Sequence, residues 1–196
     1  AEVRAIRHRA PVRQHSHFDS ALNDETAPDL ESLAENLTKA SSEAVSAQRV
    51  ALLLHDAAEK SLRVVLPGDS PVRRLTAEQG IFGDVFRSGA AEAIEILDQD
   101  PRFLSELEGL GTPAGWTSLY VPIMAAPDSP AIGVMRLDRD SGEPFAPADA
   151  DIVAELAFRA APALVSAYLG ERRRETHRIE RQLRDILAAP IVEGSF

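Results

Sequence analysis

The feature that most narrows the folds open to this chain is a change of pattern inside its last helix. Ile152, Val153, Leu156, Ala160, Ala163, Leu164, Ala167 and Tyr168 recur at helical spacing and make one broad apolar face. Past Gly170 comes Glu171-Arg172-Arg173-Arg174-Glu175, and only Ile179, Leu183 and Ile186 remain as apolar anchors. A wide face needs a sheet to cover, whereas a narrow seam suffices for pairing with another helix. The spacing therefore predicts a helix that first covers a sheet and then leaves the domain to meet a partner. Pro147 and Asp149 mark its start, because proline is preset for the first turn and an acidic side chain suits the positive helix end. The interleaved Glu and Arg beyond position 171 add pairs worth about 0.3–0.5 kcal/mol each, which support a helix without burying it.

The sheet is written upstream. Residues 50–54 (Val-Ala-Leu-Leu-Leu) form an unbroken apolar run suited to a central strand, and a polar turn at 56–60 leads to a second strand at 62–66. Pro67-Gly68-Asp69 ends that hairpin. Leu119, Val121 and Ile123 alternate with Tyr120 and Pro122, and Ile132, Val134, Met135 and Leu137 make the partner strand beyond a loop holding Pro127 and Pro130. Gly80 and Gly89 bracket a short helix with Ile81, Phe82, Val85 and Phe86 facing inward, and a short strand follows at 93–96. An earlier helix is expected to be capped near 24–26, with Pro28 in its first turn and the stripe Leu30, Leu33, Leu37, Ala40, Ala44. The fold class read from this order is α+β: a central antiparallel sheet of five to six strands with helices on both sides, and long N- and C-terminal helices.

Length allows one core with helical extensions across 196 residues. Residues 1–25 read as a linker or the remnant of a preceding domain, 26–170 as the domain, and 171–196 as a signalling helix leading toward an output domain. No apolar run approaches the roughly 20 residues of a membrane span, so a cytoplasmic setting without membrane contact is expected. The interior of the chain, residues 20–170, carries 24 acidic and 11 basic groups, which would repel nucleic acid. Arg4, Arg7, Arg9 and Arg13 form the one basic arm, read as a solvated tail.

Catalytic chemistry finds few tools. With no cysteine there is no disulfide, thiolate metal site or cysteine nucleophile. Ser118 has no histidine near it in sequence, Gly68-Asp69-Ser70 lacks the glycines of a nucleophile elbow, and His55 ends an apolar strand. His15, His17 and Asp19 are too few for a metal without a second chain, and the glycines at 80, 83 and 89 fit neither common phosphate-binding pattern. The chain is read as a non-enzyme with no cofactor and no metal.

Five segments in order carry a resemblance: Gly80-Ile81-Phe82-Gly83-Asp84-Val85-Phe86-Arg87-Ser88-Gly89, then Asp98-Gln99-Asp100-Pro101-Arg102-Phe103, then Thr117-Ser118-Leu119-Tyr120-Val121-Pro122-Ile123, then Ile132-Gly133-Val134-Met135-Arg136-Leu137-Asp138-Arg139, then Phe145-Ala146-Pro147-Ala148-Asp149. Over roughly residues 30–170 this set resembles the GAF domain family, the ligand-sensing and dimerising modules of signalling proteins. The resemblance implies a GAF/PAS-like sheet with a small-molecule cavity on one face. It implies Phe82, Phe86, Ile96, Asp98, Arg102, Phe103, Trp116, Ser118, Tyr120 and Arg136 as candidates for contacting the ligand. Asp98, Asp100 and Arg102 also read as a staple of their own loop, and the aromatics as core. Trp116 and Tyr120 with a cationic Arg136 would suit a purine nucleotide or an aromatic metabolite. The cyclic-nucleotide pattern of the family is half met: Asp138-Arg139 stands near its Asn-Lys, and Phe145 with Asp149 matches its second half, but Ala150 replaces its Glu. The function implied is a sensory module that binds a small molecule and signals through a homodimer of its terminal helices. The alternative is a ligand-free dimerisation module.

Overall fold

The expected sheet is present. In a computed structural model of the chain, residues 29–68, 70, 74–140 and 143–188 are described, the last four by backbone alone. The elements run α1 (Leu30–Val45), β1 (Arg49–Asp56), β2 (Ser61–Leu66), β3 (Arg74–Thr76), α2 (Gly80–Ser88), β4 (Glu92–Ile94), a 3-10 turn (Leu97–Gln99), α3 (Ser105–Glu108), β5 (Thr117–Met124), β6 (Ala131–Arg139) and α4 (Pro147–Ala188). All strand pairs are antiparallel, in the order β3-β2-β1-β6-β5-β4.

Period-two alternation divides the side chains between two cores. Leu52, Leu54, Leu119, Val121, Met135 and Leu137 face α1 and α4, which pack on each other across that side. Leu53, Leu62, Val64, Tyr120 and Val134 face α2 and the segment between β4 and β5. Where β6 crosses β1, Gly133 lies opposite Leu54, and a Cβ there would collide with the Leu53 carbonyl and stand 2.9 Å from Leu54 Cδ2.

Several details depart from the sequence reading. Helix α1 begins at Leu30, not near 24–26, because Asp29 is its cap: the Asp29 carboxylate accepts the Ser32 N–H at 2.7 Å. Its buried side is Leu30, Ala34, Leu37, Thr38, Ser41 and Val45, while Ala40 and Ala44 are exposed. A helix wedged between a sheet and α4 buries more than one seam. The strand expected at 93–96 ends at Ile94, because the Leu97 N–H turns to the Trp116 carbonyl. The edge strand β3 was not anticipated. Gly83 abuts the Ala77 carbonyl. On α4, Ile152 is 43% exposed and Ala163 is exposed, and Ala157 and Ala161 are buried beside Val153 and Leu164. By length and composition alone α4 would reach across a bilayer; here one side of it covers the sheet, and Glu155 and Arg159 interrupt the rest. Beyond Arg172 its described side chains are exposed on every side, Ile179 by 49% and Leu183 by 54%. The basic arm, the His15, His17 and Asp19 group, the proposed linker at 1–25 and Asp69 lie outside the described residues.

The crossing at Gly133 yields a stability test. Gly133→Ala must separate β1 from β6 or displace Leu54, at a cost of about 2 kcal/mol or more. Thermal unfolding should show a midpoint roughly 4–8 °C lower; an unchanged midpoint would show that the two strands do not approach this closely.

Candidate functional site

The register of β5 on β6 puts four polar side chains side by side on the α2 face. Tyr120 lies opposite Arg136 and Ser118 opposite Asp138. All four are buried, Arg136 and Asp138 at 1% exposure. The Asp138 carboxylate accepts from Ser118 Oγ at 2.6 Å, from Thr112 Oγ1 at 2.6 Å and from Arg136 Nε at 3.2 Å. The Arg136 guanidinium also donates to Thr112 Oγ1 at 2.7 Å, to the Gly109 carbonyl at 3.2 Å and to the Glu108 carbonyl. It lies 5.5 Å from the Phe82 ring centre and 5.9 Å from that of Tyr120, and those two rings meet edge to face at 5.0 Å.

A second carboxylate completes the site. Glu108, fully buried at the end of α3, accepts the Phe82 N–H at 2.9 Å and the Leu104 N–H at 3.0 Å. Helix α2 has Gln79 at its cap position with no side-chain cap bond, so Glu108 supplies the missing acceptor from 26 residues away. Gly80 makes room for it: its φ is +72°, and a Cβ would collide with the Glu108 carboxylate. Sequence reasoning missed Glu108. The available signal was α2 itself, whose cap position holds glutamine.

The sequence candidates divide into an inner and an outer group. Phe82, Ser118, Tyr120 and Arg136 converge, and Arg136 does not point to solvent. Phe103, half-buried, packs against the same core. Asp98, Arg102, Ile96 and Trp116 belong to the covering segment. The Asp98 carboxylate accepts the Gly115 N–H at 2.6 Å, and Arg102 pairs with Asp100 at 2.7 Å and Glu92 at 2.6 Å. The staple reading of that loop is therefore realised. Phe86 lies 4.6 Å from the His55 ring, at the margin. The half-met nucleotide pattern is split by the sheet: Asp138 belongs to the buried site, whereas on the other side Arg139 covers the Phe145 ring at 4.0 Å and bonds Asp149 at 3.2 Å, while Asp149 accepts the Ala146 N–H. Those three residues build the start of α4.

Electrostatically the site holds one cation between two anions. Burial pushes the Glu108 carboxyl above its usual range, and the amides of Leu104, Phe82 and Ile81, then Arg136, pull it back only in part. Burial likewise pushes the Tyr120 phenol up, against Arg136. The Tyr120 hydroxyl is close enough to sense Arg136, Glu108 and Asp138, yet by geometry it has no hydrogen-bond partner. The Arg136 charge is disfavoured by burial, but attraction to Asp138 and Tyr120 outweighs this and raises its pKa. The interior here is filled by these side chains. The open clefts described lie elsewhere: one of about 350 Å³ near Asp56 and Tyr168, one of about 640 Å³ between Asp29, Arg63 and Arg174, and one of about 1050 Å³ between Phe86, Pro122, Met124 and Phe158.

Comparison with known proteins follows the same outline. The family model for the GAF domain matches residues 29–164. Among solved structures, a GAF domain/HD domain protein from Geobacter sulfurreducens superposes with TM-score 0.60 at 17% identity, covering 72% of this chain and 95% of that one. A free methionine-R-sulfoxide reductase from Neisseria meningitidis, in complex with its substrate, gives TM-score 0.57 at 20% identity over 78% of this chain and 86% of that one. The second GAF domain of DevS from Mycobacterium smegmatis gives 0.53 at 18% over 75% and 99%. At these identities the likeness is one of fold. No curated protein matches the sequence.

Two stability experiments follow. Arg136→Met leaves two buried carboxylates uncompensated and should cost about 3–5 kcal/mol in urea unfolding, with partial recovery in Arg136→Met/Asp138→Leu; equal losses in the single and double variants would rule out the charge argument. Because the native Glu108 carboxyl titrates above its unfolded value, the native state takes up that proton first as pH falls, and stability rises between the raised value and the usual one. The stability of wild type relative to Glu108→Gln should therefore grow as pH is lowered through the raised Glu108 titration toward the usual carboxylate range. A constant difference would contradict the assigned shift.

Proposed function

The chain belongs to the GAF domain family, and from that membership we propose that it is the regulatory module of a signalling protein, in which a small molecule bound under α2 alters a dimer formed through α4. GAF domains are in general sensory or regulatory domains of signalling proteins. The observation that carries the ligand reading is the burial of Arg136, Asp138 and Glu108 beneath a cover made largely of loop. A core that served packing alone would not contain three ionisable groups, since burying a charge costs several kcal/mol before pairing recovers it. The sheet offers a short mechanical path. Tyr120 and Arg136 face the site, and their strand neighbours Leu119, Val121, Met135 and Leu137 face α1 and α4. A ligand that shifts β5 against β6 presses directly on the long helices.

The export step uses the exposed apolar residues of α4. Leu169, Ile179 and Leu183 follow three- and four-residue multiples around Thr176, the seam of a two-stranded coil, and they are 49%, 49% and 54% exposed in the single chain. Asp56 pairs with Arg74 at 2.9 Å and Arg172 at 3.6 Å, and Arg63 pairs with Glu171 at 2.8 Å, so the base of the projecting helix is tied to the β1–β2 hairpin. We take the module to be non-catalytic, since without cysteine it has no thiol chemistry and His55 packs on Phe86. The acidic interior argues against nucleic acid, and we place the module in the cytoplasm without membrane contact. The filled interior favours one second reading, a ligand-free relay that works through the helices alone.

Two measurements separate these readings. A thermal-shift screen with cyclic nucleotides, nucleobases and small organic acids should find a compound that stabilises the chain by roughly 5–10 °C at a hundredfold excess over Kd, an effect lost in Trp116→Ala. Absence of any stabilising compound would favour the relay. Sedimentation of the intact chain should give a dimer, and Ile179→Asp/Leu183→Asp a monomer with unchanged circular dichroism below the seam. The same mass for both would remove the coil from the mechanism.

A further inference from the structure

Glu108 sits as a bound carboxylate would sit. One oxygen takes the Phe82 N–H at the N-terminal end of the nine-residue α2, with Ile81 N–H close by, and the other takes the N–H of Leu104, the cap residue of α3. Gly80 has no side chain to obstruct it. Beside it, the fully buried Tyr120 carries a hydroxyl that lacks any hydrogen-bond partner. A buried hydroxyl without a partner costs roughly 1–3 kcal/mol, and an incoming polar group relieves that cost.

We infer that Glu108 is an internal stand-in for a small organic carboxylate bearing a hydroxyl, amino or keto group beside its acid group, and that such an acid binds by displacing it. The inference deepens the ligand-sensing reading above and rests on it. The class follows from what the site already does. The amides hold a planar two-oxygen anion, and Tyr120 can bond a neighbouring polar atom. The Phe82 and Tyr120 rings, 5.0 Å apart, leave no slot for a flat base between them. Displacement, not addition, follows from charge. Arg136 is one cation between two carboxylates, and a third anion in the same dry space would go uncompensated. Since the Glu108 carboxylate joins the Phe82 N–H at the start of α2 to the Leu104 N–H at the start of α3, releasing it uncouples α3 from α2, which links occupancy to movement.

The test removes the tethered competitor, whose effective concentration is on the order of millimolar. Glu108→Ala should be destabilised and regain several degrees in thermal midpoint with about 10 mM lactate, while matched sodium chloride or sulfate does not restore it and wild type responds far less. Propionate, which lacks the hydroxyl, should bind at least about tenfold more weakly, and that advantage should vanish in Glu108→Ala/Tyr120→Phe. If Glu108→Ala does not fold, Glu108→Gln keeps the shape, and lactate should then shift the Ile81, Phe82 and Leu104 amide resonances. A folded Glu108 variant indifferent to both acids overturns the inference. Stabilisation by a nucleobase or cyclic nucleotide, lost in Tyr120→Phe, would overturn it while leaving the sensing reading in place; no response to any compound in either arm ends both.

Discussion

The register between β5 and β6 is the constraint on which both faces of the molecule depend. Side chains alternate along a strand, so a slip of β5 by one residue on β6 would move Leu119, Val121 and Ile123 to the α2 side and put Ser118 and Tyr120 under α4. The apolar set alone would penalise that slip by several side chains' worth of burial, about 1.5–3 kcal/mol each. The buried charges penalise it further. Asp138 meets Ser118 of β5 only in the observed register. Packing on one face and polar satisfaction on the other thus select the same pairing, and each makes the other more specific.

Charge burial also explains why the cover over the site is stapled so heavily. A loop over a charged interior must keep water out or the pairing beneath weakens toward its value in water. Arg102 with Asp100 and Glu92, Asp98 with Gly115, and Arg49 with Gly111 tie that segment to β4, to itself and to β1. These are partly exposed contacts, and each alone contributes little. Their joint effect is to hold Glu108 and Thr112 where the buried groups need them.

What the sequence disclosed tracks how local each cause is. The runs at 50–54 and 117–123 declare strands because alternation and β-branched or aliphatic content act within a few residues. The change of pattern on α4 near Gly170 was visible for the same reason, and roughly its first six turns cover the sheet while the later ones stand free. The buried side of α1 was misjudged by one row, since two neighbours share it and a single stripe cannot describe that. Glu108 was hidden because its partners are 26 residues upstream and no local rule makes an acid prefer the interior. For Arg136, the inward strand position was legible; its fate was not, because it turns on Asp138, Thr112 and two carbonyls that only the folded chain assembles.

The same nonlocality is what makes the site suitable for switching. A contact formed within one element persists as long as that element does, whereas Glu108 binds across the gap between α3 and α2, and Arg136 across the gap between β6 and the cover. Such bonds can be exchanged without unfolding a strand, so a competitor for either partner biases position before it threatens stability. In the proposed mechanism the strands would carry that bias to α4 through side chains one residue along. The hairpin clamp at Arg172 sits where α4 ceases to be core and becomes a lever. In the proposed mechanism, a displacement of the sheet would reach the free part of the helix through that contact.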